Sequence, residues 1–194
     1  MKVMRKMEVS VNWESGGFKV GDQIHVGKHY TATCQKVGKN GAIFMFDQYL
    51  DETHVMNRRE TNKGGYEASD LRKFLKEFVG NPIFDEIREV MVPFKKTGDL
   101  LRIPTAEEIF GPEVFEEVFS PATADQVAIR KQWPLMKDRR NRLAFRGENQ
   151  DKECGLLQNK CGDSYFTVIN YYGDWDYYNS YVLMGVRVVF RLAV

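Results

Sequence analysis

The sequence predicts an α+β domain, with antiparallel strands near both ends of the chain and helices in the middle. Three observations lead there. Strand-like alternation opens the chain: Met7 to Trp13 puts Val9, Val11 and Trp13 on one side and Glu8, Ser10 and Asn12 on the other. A helical apolar stripe follows in the middle, at Leu71, Phe74, Leu75 and Phe78, spaced i, i+3, i+4 and i+7. Short apolar runs rich in β-branched and aromatic residues then close the chain, at Tyr165–Asn170 and Gly185–Leu192. Strands, then helices, then strands is the order of an α+β fold rather than of alternating βαβ units.

The elements follow in order. Gly16 and Gly17 end the N-terminal strand of residues 1–17. Phe18 to Phe46 holds the strand-like runs HYTATCQKV and AIFMF, with Gly38-Lys39-Asn40-Gly41 between them. Both glycines of that turn are free to take positive φ, and the region reads as a small antiparallel meander. Ser69 is suited to cap the helix DLRKFLKEFVG, and Gly80 to close it in a left-handed conformation. Asn81-Pro82 opens a second helix, whose buried face is Ile83, Ile87 and Val90 or Met91, and Pro93 stops it. Leu100 to Ile103 reads as a short strand. Thr105-Ala106-Glu107-Glu108 has the spacing of a capping box and starts another helix. Segments 112–119 and 122–131 have helical character, and Trp133 to Lys152 reads as a charged loop.

Composition narrows the function. The 194 residues suit one domain, large enough to bury a core without disulfides. A net charge of +1 gives no general attraction for nucleic acid or acidic membranes. The basic run Lys137 to Arg142 is short and reads as a solvated face. Three cysteines, Cys34, Cys154 and Cys161, do not make a disulfide framework, and their spacing matches no zinc motif. The N-terminus lacks the apolar core of a signal peptide, and no segment has the apolar length of a membrane helix. The expected locations are therefore a phage virion, the bacterial cytoplasm, or a cell surface reached by a non-classical route.

No phosphate-binding loop, serine-nucleophile elbow, zinc-protease motif or dinucleotide fingerprint is present. The pairs Glu107-Glu108 and Glu116-Glu117 read as solvent-facing helix charges. Asp174 and Asp176 would suit a calcium site, but two loop acids are a weak signal. Nothing beside Cys154 or Cys161 marks a lowered thiol pKa, so both read as inert. No catalysis, cofactor or metal is expected.

What stands out is INYYGDWDYYNSY, residues 169–181. Six of the nine tyrosines of the chain lie between 165 and 181. As a strand this stretch sets aromatics on both faces; as a loop it exposes rings to water. Either way some rings reach the surface, and exposed aromatic clusters generally mark contact sites. Tyr and Trp give large contact area with few rotatable bonds, while Ser, Asn, Gly and Asp give adaptable hydrogen bonds, the mixture of antibody-type binding loops. Tyrosines also pack well on sheets, and a purely structural role is the alternative.

The order of several segments resembles a bacterial and phage domain family with a C-type-lectin-like fold, related to formylglycine-generating enzymes. The segments are GDQIHVGKHYTATCQKVGKNGAIFMF, YEASDLRKFLKEFVGNPIFDEIREVMV, DLLRIPTAEEIFG, GLLQN and GVRVVFRL. The family helix S-x-L/I-R-x-W/F-L-N-x-x-F is matched by Ser69, Leu71, Arg72, Phe74, Leu75 and Phe78. Its strand-to-helix step D-x-x-F-L-L-S-x-x-E is matched by Asp99 to Glu108. Two departures bear on local strand packing: the family's paired tryptophans are replaced near Gly155 and Leu156, and its G-V-R-P-A is here Gly185-Val186-Arg187-Val188-Val189. The resemblance covers about residues 18–194.

Some members of this fold are variable proteins of diversity-generating retroelements, in which adenines near the 3′ end of the gene are rewritten. Asn codons then become Tyr, Asp, Ser, Ile, Val, Leu and others. Residues 159–184 are similar to such a region; Met184 fits least, because adenine changes alone do not make Met from an AAC codon. The resemblance thus implies a single C-type-lectin-like domain, 1–194, whose terminal strands Met7–Trp13 and Val186–Leu192 pair. It implies a ligand-binding surface of Asn159, Tyr165, Asn170, Tyr171, Tyr172, Asp174, Trp175, Asp176, Tyr177, Tyr178, Asn179, Ser180, Tyr181, Val182 and Leu183. Lys160, Asp163 and Ser164 would belong to the variable region as well. The expected partner is a protein or glycan on a cell surface or virion, with no nucleic acid and no membrane insertion; an oligomer fits as well. The rivals are a formylglycine-type cysteine oxidase using Cys154 and Cys161, and a phage tail or surface assembly component.

Overall fold

A computed structural model describes residues 17–114, 131–147 and 151–193. Within them the protein is mixed α+β, mostly sheet, with every strand pair antiparallel. The strands are β1 (Gln23–Val26), β2 (Tyr30–Gly38), β3 (Gly41–Phe46), β4 (Leu101–Arg102), β5 (Phe145–Arg146), β6 (Asp151–Lys152), β7 (Gly155–Cys161), β8 (Tyr165–Ile169), β9 (Trp175–Asn179) and β10 (Val189–Leu192). The helices are α1 (Asp70–Phe78) and α2 (Ala106–Phe110). One sheet runs β1-β2-β3-β10-β4, a second β7-β8-β9, and β5 pairs with β6.

The five-stranded sheet is covered on both faces. Phe44, Phe46 and Phe190 point into the larger core beside Leu71 and Leu75 of α1. Met45 and Val189, the alternate residues, point into a second core with Ala106, Ile109 and Phe110 of α2 and with Trp133. The last strand is therefore buried on both sides. Its two edges are taken by β3 and by β4, with Met91 bridged to Leu192. Its partners among the described residues are internal strands; Met7–Trp13, the expected partner, lies outside the described residues, as do most of segments 112–119 and 122–131.

Local chemistry sets the elements. The β2–β3 hairpin turns between Gly38 and Gly41, and of the two only Gly41 takes positive φ, at 117°. A Cβ there would stand 2.2 Å from the Leu192 carbonyl, so β10 can approach only a glycine. Ser69 caps α1, its hydroxyl accepting from the Arg72 amide at 3.1 Å. The helix ends at Phe78 with Val79 still right-handed, and Gly80 takes no left-handed turn, contrary to expectation. The expected second helix is two 3-10 turns, Pro82–Phe84 and Arg88–Val90. Its Asn81 cap and first-turn proline are as expected, but the bends let Phe84, Ile87 and Met91 reach the core from a path no straight helix follows. Thr105 and Glu108 form a reciprocal capping box on α2.

Two charged pairs fix the middle of the chain. Arg72 of α1 donates to both oxygens of the buried Asp99, at 2.6 and 3.1 Å. Arg102 of β4 donates to both oxygens of Glu108 at 2.7 Å and lies over Phe94. Burial alone raises the Asp99 carboxyl, but the Arg72 fork, Thr97 and Lys76 outweigh it and hold the pKa below its ordinary value. A depressed carboxylate stabilises the fold above its unfolded pKa, and that contribution is lost as pH falls through the folded value. Asp99→Asn is expected to cost about 1.5 kcal/mol at neutral pH. The difference from the parent should begin to shrink below about pH 4 and vanish only at an acid pH below the folded pKa. Urea denaturation at both pH values checks this, and a constant difference would count against it.

Candidate functional site

The tyrosine-rich stretch is a hairpin turn followed by an edge strand. Asn170 builds the turn between β8 and β9: its side-chain oxygen accepts from the Tyr172 amide at 2.9 Å and the Asp174 amide at 3.1 Å. Gly173 completes the turn with φ 81°, packed 3.0 Å (as a built Cβ) from the Arg139 carbonyl. Arg139 clamps it from below, donating from Nε to the Tyr172 carbonyl at 2.5 Å and pairing with Asp174. The basic run expected as a solvated face therefore supports the site. Arg142 of the same run is buried, with its Nε donating to the Met136 carbonyl and its guanidinium over Phe110.

Among the described residues β9 pairs only with β8, in the register Ile169↔Trp175 through Tyr165↔Asn179. Alternation puts Trp175, Tyr177 and Asn179 on one face with Ile169, Thr167 and Tyr165; Tyr165 and Tyr177 meet edge to face at 5.5 Å. Asp176 and Tyr178 lie on the other, opposite the buried Val168 and Phe166. The outer ends of both faces stay open. Among the described residues, eight large hydrophobic side chains are exposed, and six belong here: Tyr171, Tyr172, Tyr177, Tyr178, Tyr181 and Leu183. Tyr172 is 72% exposed and Leu183 64%.

Several expected contact residues have other work. Ser180 is buried: its hydroxyl donates to the Arg59 carbonyl at 2.9 Å and accepts from the Thr61 amide at 3.0 Å, tying the end of β9 to the 57–61 loop. Asn159 accepts from the Ala106 amide at 2.7 Å and donates to Glu107, so it serves the first turn of α2. Trp175 packs against the second core and Val182 against the first. Asn170 is spent on its turn, and Asn179 accepts from Ser164 at 3.2 Å. Ser180 is thus buried framework, while Asn159, Asn170, Trp175 and Val182 serve the framework and stay partly exposed. Sequence alone did not separate them, because Asn and Ser serve turns and recognition with the same atoms.

Asp174 and Asp176 do not form a cation site. Asp174 is paired with Arg139, and Asp176 accepts from the Tyr177 amide at 2.8 Å. Among the described residues no group of three or more His, Cys, Asp or Glu is arranged to hold a metal. The two cysteines of this region are also separate. Gly155, next to Cys154, pairs with Ile169, whereas Cys161 pairs with Tyr165. Four residues of β8 separate these partners by about 13 Å, too far for a disulfide. Burial pushes the Cys154 thiol up, against a hydrogen bond with Tyr171. Burial likewise pushes Cys34 up to about 11. Neither is poised as a thiolate.

The chain matches no protein family, no curated protein and no solved structure. Among the described residues, no helix is long and apolar enough to cross a membrane.

Proposed function

We propose that the protein is a binding module that presents Tyr171, Tyr172, Tyr177, Tyr178, Tyr181 and Leu183 to a macromolecular ligand on a C-type-lectin-like scaffold, and that these positions vary within a population as in diversity-generating retroelements. One observation carries the reading: among the described residues, six of the eight exposed large apolar side chains gather on one turn, one edge strand and the segment just after it, and hydrogen bonds from groups other than the rings hold that backbone. Asn170, Gly173, Arg139 and Ser180 fix the turn and the strand end. A surface built so can change its rings without loss of its frame. The rings supply buried area and stacking, and Asp176 and Asn179 supply polar specificity. The lectin-type fold is supported by the places of its motif residues. Ser69, Arg72, Asp99, Glu108, Gly185 and Arg187 all stand at junctions between segments. The ligand is a protein or glycan on a cell surface or virion.

Sequencing the 3′ end of this gene across a host population tests the reading. Substitutions are expected at codons 171, 172, 177, 178, 181 and 183, traceable to template adenines, and not at those for Gly173, Ser180 or the buried Met184. An invariant stretch removes the variable reading. Substitutions at Ser180 as frequent as at Tyr178 would show that burial does not set the pattern. The Tyr177→Ala/Tyr178→Ala variant is expected to unfold within about 1 kcal/mol of the parent. Its adsorption to host cells or virions should weaken about tenfold or more. A large stability loss would put the rings in the core and end the proposal.

A further inference from the structure

A cleft that contains none of the tyrosines lies beside the same 135–143 segment that supports their turn. The face of β1 and β2 that carries Gln23 and Thr33 looks across at the Leu135–Leu143 segment, and a cleft of about 750 Å³ opens between them. This volume is within the range of small-molecule sites. β2 is bulged there: Cys34 pairs with Phe44 and Lys36 with Ile43, so Gln35 is the extra residue. Bulges re-aim side chains and gather near functional sites. Gln35 lines the cleft although it is only 1% exposed. Its amide nitrogen donates to the Thr33 carbonyl at 3.1 Å, but its buried Oε1 accepts from no group among the described residues. An acceptor withdrawn from water in this way is costly unless something donates to it.

Asp47 stands beside it at the end of β3. One carboxylate oxygen accepts from the Thr33 hydroxyl at 2.6 Å and the other from Gln23 at 3.1 Å. Each oxygen has room for a second donor. The opposite wall brings the buried Arg187 and Asn141. Asp138 and Arg140, also in the lining, pair with one another at 2.7 Å. The lining thus holds two carboxylates, Asp47 and Asp138, and two guanidinium groups, Arg140 and Arg187, which sum to zero formal charge. Such a wall gives an ion of either sign little advantage. It asks instead for a ligand that donates to Gln35 and Asp47 and has no charge of its own. Hydroxyl groups meet both demands.

We infer that this cleft binds a small uncharged molecule rich in hydroxyl groups, of the size of one or two sugar units, with Gln35 Oε1 and the Asp47 carboxylate accepting from its hydroxyls. None of the exposed tyrosines lines the cleft, and the inference does not depend on that reading.

Ligand-observed saturation-transfer NMR on the full chain tests it, with trehalose and methyl glucoside as probes and inorganic phosphate and methylammonium as charged controls. A sugar probe is expected to bind and the ions not. Gln35→Met should weaken binding about tenfold or more. Its melting temperature should change little, because removal of the unpaired buried Oε1 offsets loss of the hydrogen bond to the Thr33 carbonyl. Asp47→Asn should weaken binding as well, and serves if Gln35→Met does not fold. Failure of both sugars to bind overturns the inference, as does binding of an ion in their place. Sugar binding left unchanged by both variants overturns it too.

Discussion

Gly185→Ala is expected to cost about 3 kcal/mol, near the upper end for overpacking a core. Residues 184–188 form an irregular strand held on both edges. Leu50 and His54 donate to the carbonyls of Val186 and Met184 on one side, and Leu156 donates to the Gly185 carbonyl on the other. Gly185 is bridged to Gly155, and the buried ring of Tyr49 lies across both. A Cβ on Gly185 would stand 2.5 Å from Tyr49 Cγ, and one on Gly155 2.6 Å from its hydroxyl. At Gly185 the near atoms belong to the root of the ring and not to a flexible tip. Tyr49 has little room to retreat, because its hydroxyl donates to the Glu153 carbonyl at 3.3 Å. Making the ring smaller should relieve the clash. Tyr49→Leu costs stability alone, but combined with Gly185→Ala it should cost less than the sum of the two. Denaturant melts of the four proteins provide the cycle. Additive losses, or a Gly185→Ala variant within about 0.5 kcal/mol of the parent, would show that the ring is not held over that glycine.

The same region shows what the sequence made legible. Helix α1 was readable because its stripe and its Ser69 cap are local facts, and α2 because a capping box lies within four residues. Arg72, Asp99 and Glu108 could be picked out for the resemblance they carry, but not as members of ion pairs. The Arg72–Asp99 fork joins residues far apart in the chain, and no local pattern records the distance between them. The second helix failed for a related reason. Ile83, Ile87 and Met91 have helical spacing, yet Phe84 is fully buried among Phe46, Phe78 and Phe190, and its burial bends the segment into 3-10 turns. Tertiary packing overrode periodicity there. At the tyrosine surface composition found the stretch, but burial had to sort Tyr178 from Ser180. The cleft at Gln35 left no signal in the sequence, because a bulge is defined by the partner strand's register.

Arg187→Met is expected to be the most destabilising substitution, at about 3–5 kcal/mol. Arg187 is buried between the five-stranded sheet and the 139–142 turn. Its Nε donates to the Phe46 carbonyl at 2.9 Å, and Nη1 to the carbonyls of Asn141 and Arg142, each at 3.2 Å. Burial lowers its pKa, opposed by Tyr49 and Asp47. Methionine fills similar space and spares the fold a buried charge, a gain that sometimes wins. Here it leaves three carbonyls without this donor, each about 1–3 kcal/mol to strand. The unpaired carbonyls should decide the sign. Lysine should not rescue, since a single ammonium lacks the fork that reaches both walls. A pH signature separates this account from simple loss of packing. Burial raises the Asp47 carboxyl, and Thr33, Arg187 and Gln23 pull it back. Without Arg187 it rises further. A carboxyl whose folded pKa lies above its unfolded value costs stability once ionised, and the loss grows as pH rises from about 4 through the folded pKa. Arg187→Met should therefore lose stability more steeply than the parent across that window, and Asp47→Asn should remove the extra slope. Parallel pH profiles for parent and variant would show that the guanidinium does not act on Asp47. A loss below about 1 kcal/mol would show that the three carbonyls find other donors.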